Sequence, residues 1–402
     1  MAGIGIVDGT GSSATFNNPG AIAVDKNGNV FISDGVHMTR KITPLGAVST
    51  VAGSLKPSYT AGVGTSAGFN APAGIELSTD GSLYVADSSN NCIRKIDSVG
   101  VVTTLVGTSS KGSVDGIGTA ARFQAPSDVA FDSAGNIMYV LDKGNNIVRR
   151  VVVATAAVSF FAGSMATATG FADGIGSAAS FNAPAGIAVK ATGDVIVADT
   201  ANNRIRMITS SAVVTTIAGS SSAAFADGIG TNALFSSPQR MALDLNANIY
   251  VADFYNNRIR MISPAYVVTT VVGVNQKYAD GVGTAINFNS FSGVAIDSSG
   301  NFYVAETYTG VVRKVSVVGT TVTSITLAGR GSADGTGSNA VFMGPWGVDL
   351  DSSGSIYFTE NYGITVRKIA SGTSQVVTYA GSLGHNVNWI DGAASSARYY
   401  MS

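Results

Sequence analysis

Short apolar runs follow one another along the whole chain, separated by clusters of glycine, serine, asparagine and aspartate. One stretch shows the unit clearly: Phe181-Asn-Ala-Pro-Ala-Gly-Ile-Ala-Val, then Gly193-Asp-Val-Ile-Val-Ala-Asp199, then Asn203-Arg-Ile-Arg-Met-Ile-Thr, then Val213-Val-Thr-Thr-Ile-Ala-Gly219. Runs this short and this rich in Val, Ile and Thr fit a pleated, half-buried surface, so each predicts a strand, four to the unit. The unit recurs. Aligned on the phenylalanine that opens it, the copies begin at Phe16, Phe69, Phe123, Phe181, Phe235, Phe288 and Phe342. Their spacing of 53 to 58 residues, with strand-like content, is a propeller signature.

The connectors carry matching turn chemistry. Asp25-Lys-Asn-Gly-Asn, Asp132-Ser-Ala-Gly-Asn, Asp297-Ser-Ser-Gly-Asn and Asp351-Ser-Ser-Gly-Ser put Asp at a turn start and Gly where positive φ is wanted. They predict the hairpin between the first and second strands. A calcium loop would need carboxylates at alternating positions and a distal Glu, which these lack. The expected fold is all-β: a seven-bladed β-propeller of four-stranded antiparallel blades. A single domain over 1–402 is expected, with blades at 16–54, 69–107, 123–163, 181–219, 235–273, 288–329 and 342–381. Spare loop segments remain at 1–15 and 382–402, each repeating the Asp-Gly inter-blade phrase. Each blade is expected to take all four strands from one continuous repeat, so that the ring closes by packing at Phe16 or Tyr399 without a strand exchanged between the ends.

Pro-x-Gly-Ile-Ala-Val-Asp, Gly-Asn-Val-(Tyr/Phe)-Val-Ala-Asp and Asn-x-Arg-Ile-Arg-Lys-Ile together resemble the NHL repeat, over residues 16 to 381. The resemblance implies a toroid of four-stranded blades, and seven copies depart from the six of many members. Members include cell-surface and extracellular modules, RNA- or protein-binding propellers, receptor-kinase sensor domains and a peptide-amidating lyase, so the resemblance specifies fold more than function.

Each second strand ends in an acid, and a base follows seven residues later: Asp34 with Lys41, Asp87 with Arg94, Asp142 with Arg149, Asp199 with Arg206, Asp253 with Arg260, Glu306 with Arg313 and Glu360 with Arg367. Such spacing about a hairpin predicts a ring of cross-strand ion pairs that fixes blade geometry, not a set of catalytic carboxylates.

Composition narrows the chemistry. Of 402 residues, only 12% are charged and 49 are glycine, which suits tight turns between buried strands. A net charge of −1, with no basic run longer than two residues, leaves no field for a polyanion, so nucleic acid is not favoured as a partner. No stretch reaches the roughly 18 consecutive apolar residues a membrane span needs, and no membrane insertion is expected. The only cysteine, Cys92, excludes an internal disulfide and reads as a resting structural thiol. His37 and His385 lie in different repeats without neighbouring ligands, there is no Gly-x-Ser-x-Gly elbow, and the recurring Asp-Gly-x-Gly phrases lack the Lys-Ser/Thr of a phosphate loop. No cofactor, metal or catalytic residue is expected.

Function is therefore sought where repeats differ. After the proline that opens the innermost strand, most repeats carry small residues, but this chain has Ser127-Asp128, Gln239-Arg240 and Pro345-Trp346. Asp128, Arg240 and Trp346 are expected at one mouth of the channel, where they either plug it or clasp a small polar ligand. In the turn between strands two and three, Asn-Asn dominates repeats two to four. Phe254-Tyr255, Tyr308 and Tyr362 mark repeats five to seven, and His37-Met38 marks repeat one. This aromatic arc suits a protein or glycan partner. The leading expectation is a non-enzymatic binding or scaffold module of an extracellular or surface assembly, with a cytoplasmic setting as the alternative. A lyase- or lactonase-type enzyme acting at the channel mouth and an RNA-binding propeller are the competing readings.

Overall fold

A computed structural model of the chain describes residues 7–381 except 11–12, 15, 17–18, 36, 165–168, 245, 273–280, 283–290, 298, 307–309, 319–320, 330–333, 337–339, 341, 343 and 361–364. Seven antiparallel sheets follow one another along the chain, each built from consecutive strands. The seven-bladed reading is borne out. Strand number needs one refinement, because every sheet has five strands. In blade 4, Gly186–Val189 is innermost, followed outward by Val195–Asp199, Arg204–Ile208 and Val213–Gly219. The fifth strand is Gly174–Ile175, part of the preceding Asp-Gly loop, which pairs with Val214 and Val213 on the outer edge. Two residues are too few for the hydrophobic pattern to reveal. What they do is cover an edge that would otherwise present open backbone groups.

The Asp-x-x-Gly connectors are hairpins as expected. At Asp25, the backbone N–H of Gly28 and the N–H of Asn27 and Asn29 converge on the Asp25 carbonyl and carboxylate, and Gly28 takes φ +75°. The core lies between blades. Among the described residues, seven apolar clusters each join the facing strands of neighbouring blades. One gathers Tyr139, Leu141 and Val148 of blade 3 against Val195, Val197 and Ile208 of blade 4, with Phe181 between them.

At the seam between blades 7 and 1, Phe16 packs with Tyr357, Val366, Tyr379 and Ala380. No strand crosses it among the described residues, since blade 7 ends with Gln375–Ala380 and blade 1 begins with Gly9–Thr10. Packing is not the whole closure. Asp349 of blade 7 accepts the N–H of Val24 at 3.1 Å, the Thr359 hydroxyl donates to the Gly20 carbonyl at 3.2 Å, and the Tyr379 hydroxyl donates to the Thr43 carbonyl. The second spare loop, with Tyr399, lies outside the described residues.

Candidate functional site: channel mouth and blade rim

The recurring acid–base pairs are buried structural clusters. In blade 4 the Arg206 guanidinium is fully buried. It meets Asp199 at 2.8 Å and the inter-blade Asp173 at 2.7 Å, and it donates to the Ala172 and Ser180 carbonyls. It also lies 5.2 Å from the centre of the Phe181 ring, so the repeat's opening phenylalanine is a platform for the arginine. Asp199 accepts in addition from the Asn182 N–H and the Asn202 amide. Burial pushes the Asp87 and Asp142 carboxyls up to about 6, and the N–H, amide and guanidinium donors around each hold it below neutrality. Both carboxylates are therefore ionised at pH 7.

Six of the seven expected pairs form as expected. In blade 1 the partner of Asp34 is Arg40 at 3.3 Å, not Lys41. The reason is a turn one residue shorter. Asp34 stands opposite Met38, whereas Asp87 stands opposite Cys92, so the inward-facing base moves one place earlier. Cys92 itself is buried with its thiol pushed up by desolvation, which keeps it protonated and inert.

The same turns also latch neighbouring blades. Asn91, Asn146 and Asn203 adopt left-handed conformations, and their side-chain oxygens accept the N–H of Ala125, Ala183 and Ser237 in the following blade at 2.7 to 3.0 Å. His37 occupies this place in blade 1, with φ +68°, and its Nδ1 accepts the N–H of Ala71 at 3.0 Å. Half-buried and so engaged, it latches blade 1 to blade 2.

On the rim, Tyr255 is 69% exposed and meets Phe254 edge-on at 5.1 Å. Tyr308 and Tyr362 lie outside the described residues. The loop residues Phe171 and Phe225, which the repeat comparison missed, complete the surface on blades 4 and 5. Phe225 stacks on Arg258 at 3.6 Å and Phe171 on Arg204 at 4.2 Å, and both rings are exposed. The Asn256 amide donates to the Ala224 carbonyl and so ties the Phe254-Tyr255 turn to the Phe225 loop. A legible signal existed: an aromatic stands two residues before Asp173 and Asp227 in the loop phrase.

At the axis, the innermost strands enclose a cavity of about 340 Å³ lined by Glu76, Asp128 and Arg240 among apolar neighbours. Innermost strands approach closely here: a Cβ on Gly186 would lie 2.3 Å from the Gln239 carbonyl, and one on Gly293 the same distance from the Trp346 carbonyl. Asp128 and Arg240 take that glycine place in blades 3 and 5 and reach the cavity as expected. Trp346 does not line it. Its place is one residue earlier, where strand alternation turns the side chain to the other face.

Glu76 is an acid that the glycine place alone does not reveal. It stands two residues beyond the glycine place, where blades 1, 3, 4, 5 and 6 have alanine, and Asp349 is the matching substitution in blade 7. Burial, reinforced by Asp128 and Asp349, pushes the Glu76 carboxyl up to about 8. Asp349 is raised to about 6 by burial while it accepts the N–H of Val24 and Leu350. Asp128 is raised by burial and opposed chiefly by Arg240. Among the described residues, no three His, Cys, Asp or Glu side chains are grouped so as to hold a metal ion, and no helix is long and apolar enough to cross a membrane.

Comparison with known proteins agrees with the fold. The chain matches a streptogramin B lyase structure with a TM-score of 0.61, at 10% identity, over 90% of this chain and 96% of that one. An auxiliary nutrient binding protein from Bacteroides ovatus matches with a TM-score of 0.51 at 14% identity, over 91% of this chain and 72% of that one. At such identities the likeness is one of fold alone. Among curated proteins, Arabidopsis thaliana "Protein SUPPRESSOR OF QUENCHING 1, chloroplastic" is 26% identical over 74% of this chain and 30% of that protein. Bos taurus NHL repeat-containing protein 2 is 35% identical over 35% of the chain and 21% of that protein, and mouse Teneurin-4 is 26% identical over 50% and 8%. The chain thus spans less than a third of the length of these relatives. The Teneurin NHL domain model matches residues 58–263, half of the sequence, and the chain belongs to the NHL-repeat β-propeller family.

Proposed function

We propose that this propeller is a non-catalytic binding module of an extracellular or cell-surface assembly, and that it takes a protein partner on the rim of blades 4 and 5. The carrying observation is the exposed surface of Phe171–Arg204, Phe225–Arg258 and Phe254–Tyr255. Stacked aromatics and arginines on rigid turns supply large contact area at low entropy cost, and they are the residue types that dominate protein interfaces. Half-exposed Asp173 and Asp227 stand beside the buried arginines of the same loops, so the rim is of mixed charge, which does not suit RNA. The extracellular setting rests on the family resemblance, whose members include cell-surface modules.

The test compares the intact chain with a Phe225→Ala/Tyr255→Ala/Arg258→Ala variant in affinity capture, on a glycan array and against single-stranded RNA at two salt concentrations. Protein partners retained by the intact chain and lost by the variant are expected. Capture indifferent to the rim, glycan binding lost with the rim, or steeply salt-dependent RNA binding overturns the protein-partner reading. Stoichiometric zinc, calcium or iron in the purified protein overturns the non-enzymatic one.

A further inference from the structure

The cavity at the axis is charged in an uneven way. Glu76 on blade 2 and Asp128 on blade 3 line one side, and Arg240 on blade 5 lines another. Among the described residues, the Glu76 carboxyl has no hydrogen-bond partner and the Arg240 guanidinium no acceptor, although both residues line the cavity. Asp128 accepts the adjacent Val129 N–H at 3.1 Å and is also held by the Ile187 N–H of blade 4. Asp128 and Arg240 feel one another's charge without forming an ion pair. The remaining wall on the face that Glu76 shares is of small apolar residues, Ala130, Ala188 and Ala242 among them. Unlike the blade clusters, where carboxylates and carbonyls engage the terminal nitrogens of arginines such as Arg206, this site leaves a carboxylate and a guanidinium unspent on different walls. Charges so placed desolvate at a cost that a complementary ligand offsets.

We propose that the axial cavity binds a free α-amino acid, its ammonium group on Glu76 and Asp128 and its carboxylate on Arg240. The apolar wall takes the methylenes of the side chain. Once Glu76 has lost its proton on binding, two acids stand against one base and Asp349 adds to the negative potential behind Glu76, so amino acids with a cationic side chain are preferred. The volume accommodates a molecule of that size. Glu76 is largely protonated at pH 7 in the empty cavity, and binding an ammonium group requires its carboxylate. Each binding event therefore releases a proton from the Glu76 carboxyl to the buffer.

Isothermal titration calorimetry of the intact chain tests this with L-lysine, L-leucine, L-glutamate and 1,5-diaminopentane, the last being lysine without its carboxylate. The expected order is lysine, then leucine, with glutamate weakest and the diamine about tenfold weaker than lysine, the order of one charge-assisted hydrogen bond. Arg240→Gln is expected to bring lysine down to the diamine's affinity and to leave the diamine unchanged. Glu76→Gln is expected to weaken both and to abolish the proton release, read as the dependence of heat on buffer ionisation enthalpy. Absence of lysine binding at millimolar concentration, equal affinity for lysine and the diamine, or affinities untouched by both variants would each overturn the assignment. Circular dichroism of the two variants separates a lost site from a lost fold. Because none of Phe225, Tyr255 and Arg258 lines the cavity, the rim variant is expected to bind lysine normally, and the two proposals fail independently.

Discussion

Asp199 and Glu76 are both acids held deep in the ring, and their surroundings are opposite. Asp199 has a guanidinium at 2.8 Å, a backbone N–H and a side-chain amide, and its arginine is held in turn by a second acid and two carbonyls. Glu76 has two other carboxylates within electrostatic reach and no donor among the described residues. The first arrangement recurs in blade after blade and locks each inter-blade loop onto its sheet. The second occurs once and works against the fold. Repetition therefore separates scaffold from exception in this molecule: an acid that every blade has is satisfied by its own blade, whereas of the two acids that replace alanine in single blades Asp349 is spent on the seam and Glu76 is left for something else.

The largest expected effect removes the difference by breaking a blade cluster. Arg206→Leu leaves Asp199 buried without its cation and strands the Ala172 and Ser180 carbonyls. Loss of one partner of a buried pair costs about 3–5 kcal/mol. Chemical denaturation is expected to report a loss of that order. The double variant Arg206→Leu/Asp199→Asn, which removes the orphaned charge, should recover part of it. A loss under about 1 kcal/mol for the single variant would mean that the clusters are ornaments on a ring held by apolar packing alone.

Next comes Glu76, where the sign reverses. Its carboxyl is raised from 4.5 to about 8 in the folded chain, so the folded state binds more protons than the unfolded state between those values. Stability is therefore full below about 4.5, falls as pH rises through about 8 and is level beyond it. The wild-type chain is expected to lose on the order of a few kcal/mol more between pH 5 and pH 8.5 than Glu76→Gln does, because glutamine does not titrate. Equal slopes for the two proteins would show that Glu76 is solvated in solution, and the contrast with Asp199 would lapse.

How much of this the sequence made legible follows from the same contrast. Period, blade number, hairpin turns and six of the seven ion pairs were readable because each signal was sounded several times. Lys41 was paired with Asp34 in place of Arg40 because the shortened turn in blade 1 moved the base by one residue, and a fixed offset of seven does not register a deletion. The fifth strand was invisible because Gly174–Ile175 is two residues of a loop, and its pairing depends on where the outer strand's edge lies. Asp128 and Arg240 were found by departure from glycine. Glu76 and Asp349 depart from alanine two residues later, and comparing every column of the repeat rather than the one after proline would have found them. Trp346 was misplaced for want of strand alternation. The contact of His37 with Ala71 was not legible because sequence does not say which side chains in a turn face the next blade.

His37 carries a smaller effect. Its Nδ1 accepts the Ala71 N–H only when unprotonated, and desolvation lowers its folded-state pKa below 6.5. The contribution of this latch is thus present above about pH 6.5 and is lost as pH falls toward the lowered value. His37→Asn restores the residue that Asn91, Asn146 and Asn203 represent in their blades and should hold the latch at all pH values. Hydrogen exchange at the Ala71 amide is expected to accelerate below pH 6 in the wild-type chain by an amount worth about 1 kcal/mol, and not in the variant. Identical acid profiles would assign the Ala71 N–H another acceptor.

The smallest effect concerns blade 2, where the loop phrase reads Ala61-Gly62-Val63-Gly64 and the second carboxylate is missing. In blades 1, 3, 4, 5 and 7 the corresponding Asp8, Asp115, Asp173, Asp227 and Asp334 meet the buried arginine at 2.7 to 2.9 Å. Arg94 instead takes the Thr60 and Gly68 carbonyls and lies 5.3 Å from the Tyr59 ring. Ala61→Asp supplies the absent acid at an exposed position, with Thr104 where Thr216 donates to Asp173 in blade 4. The acids in the other blades are about half exposed, so solvent screens the gain, and exposed pairs are worth roughly 0–1 kcal/mol. A rise in Tm of about 1–3 °C is expected for a chain of this size. A fall would mean that Tyr59 fills the space the carboxylate needs, and that blade 2 has replaced a charge with a ring rather than merely lost one.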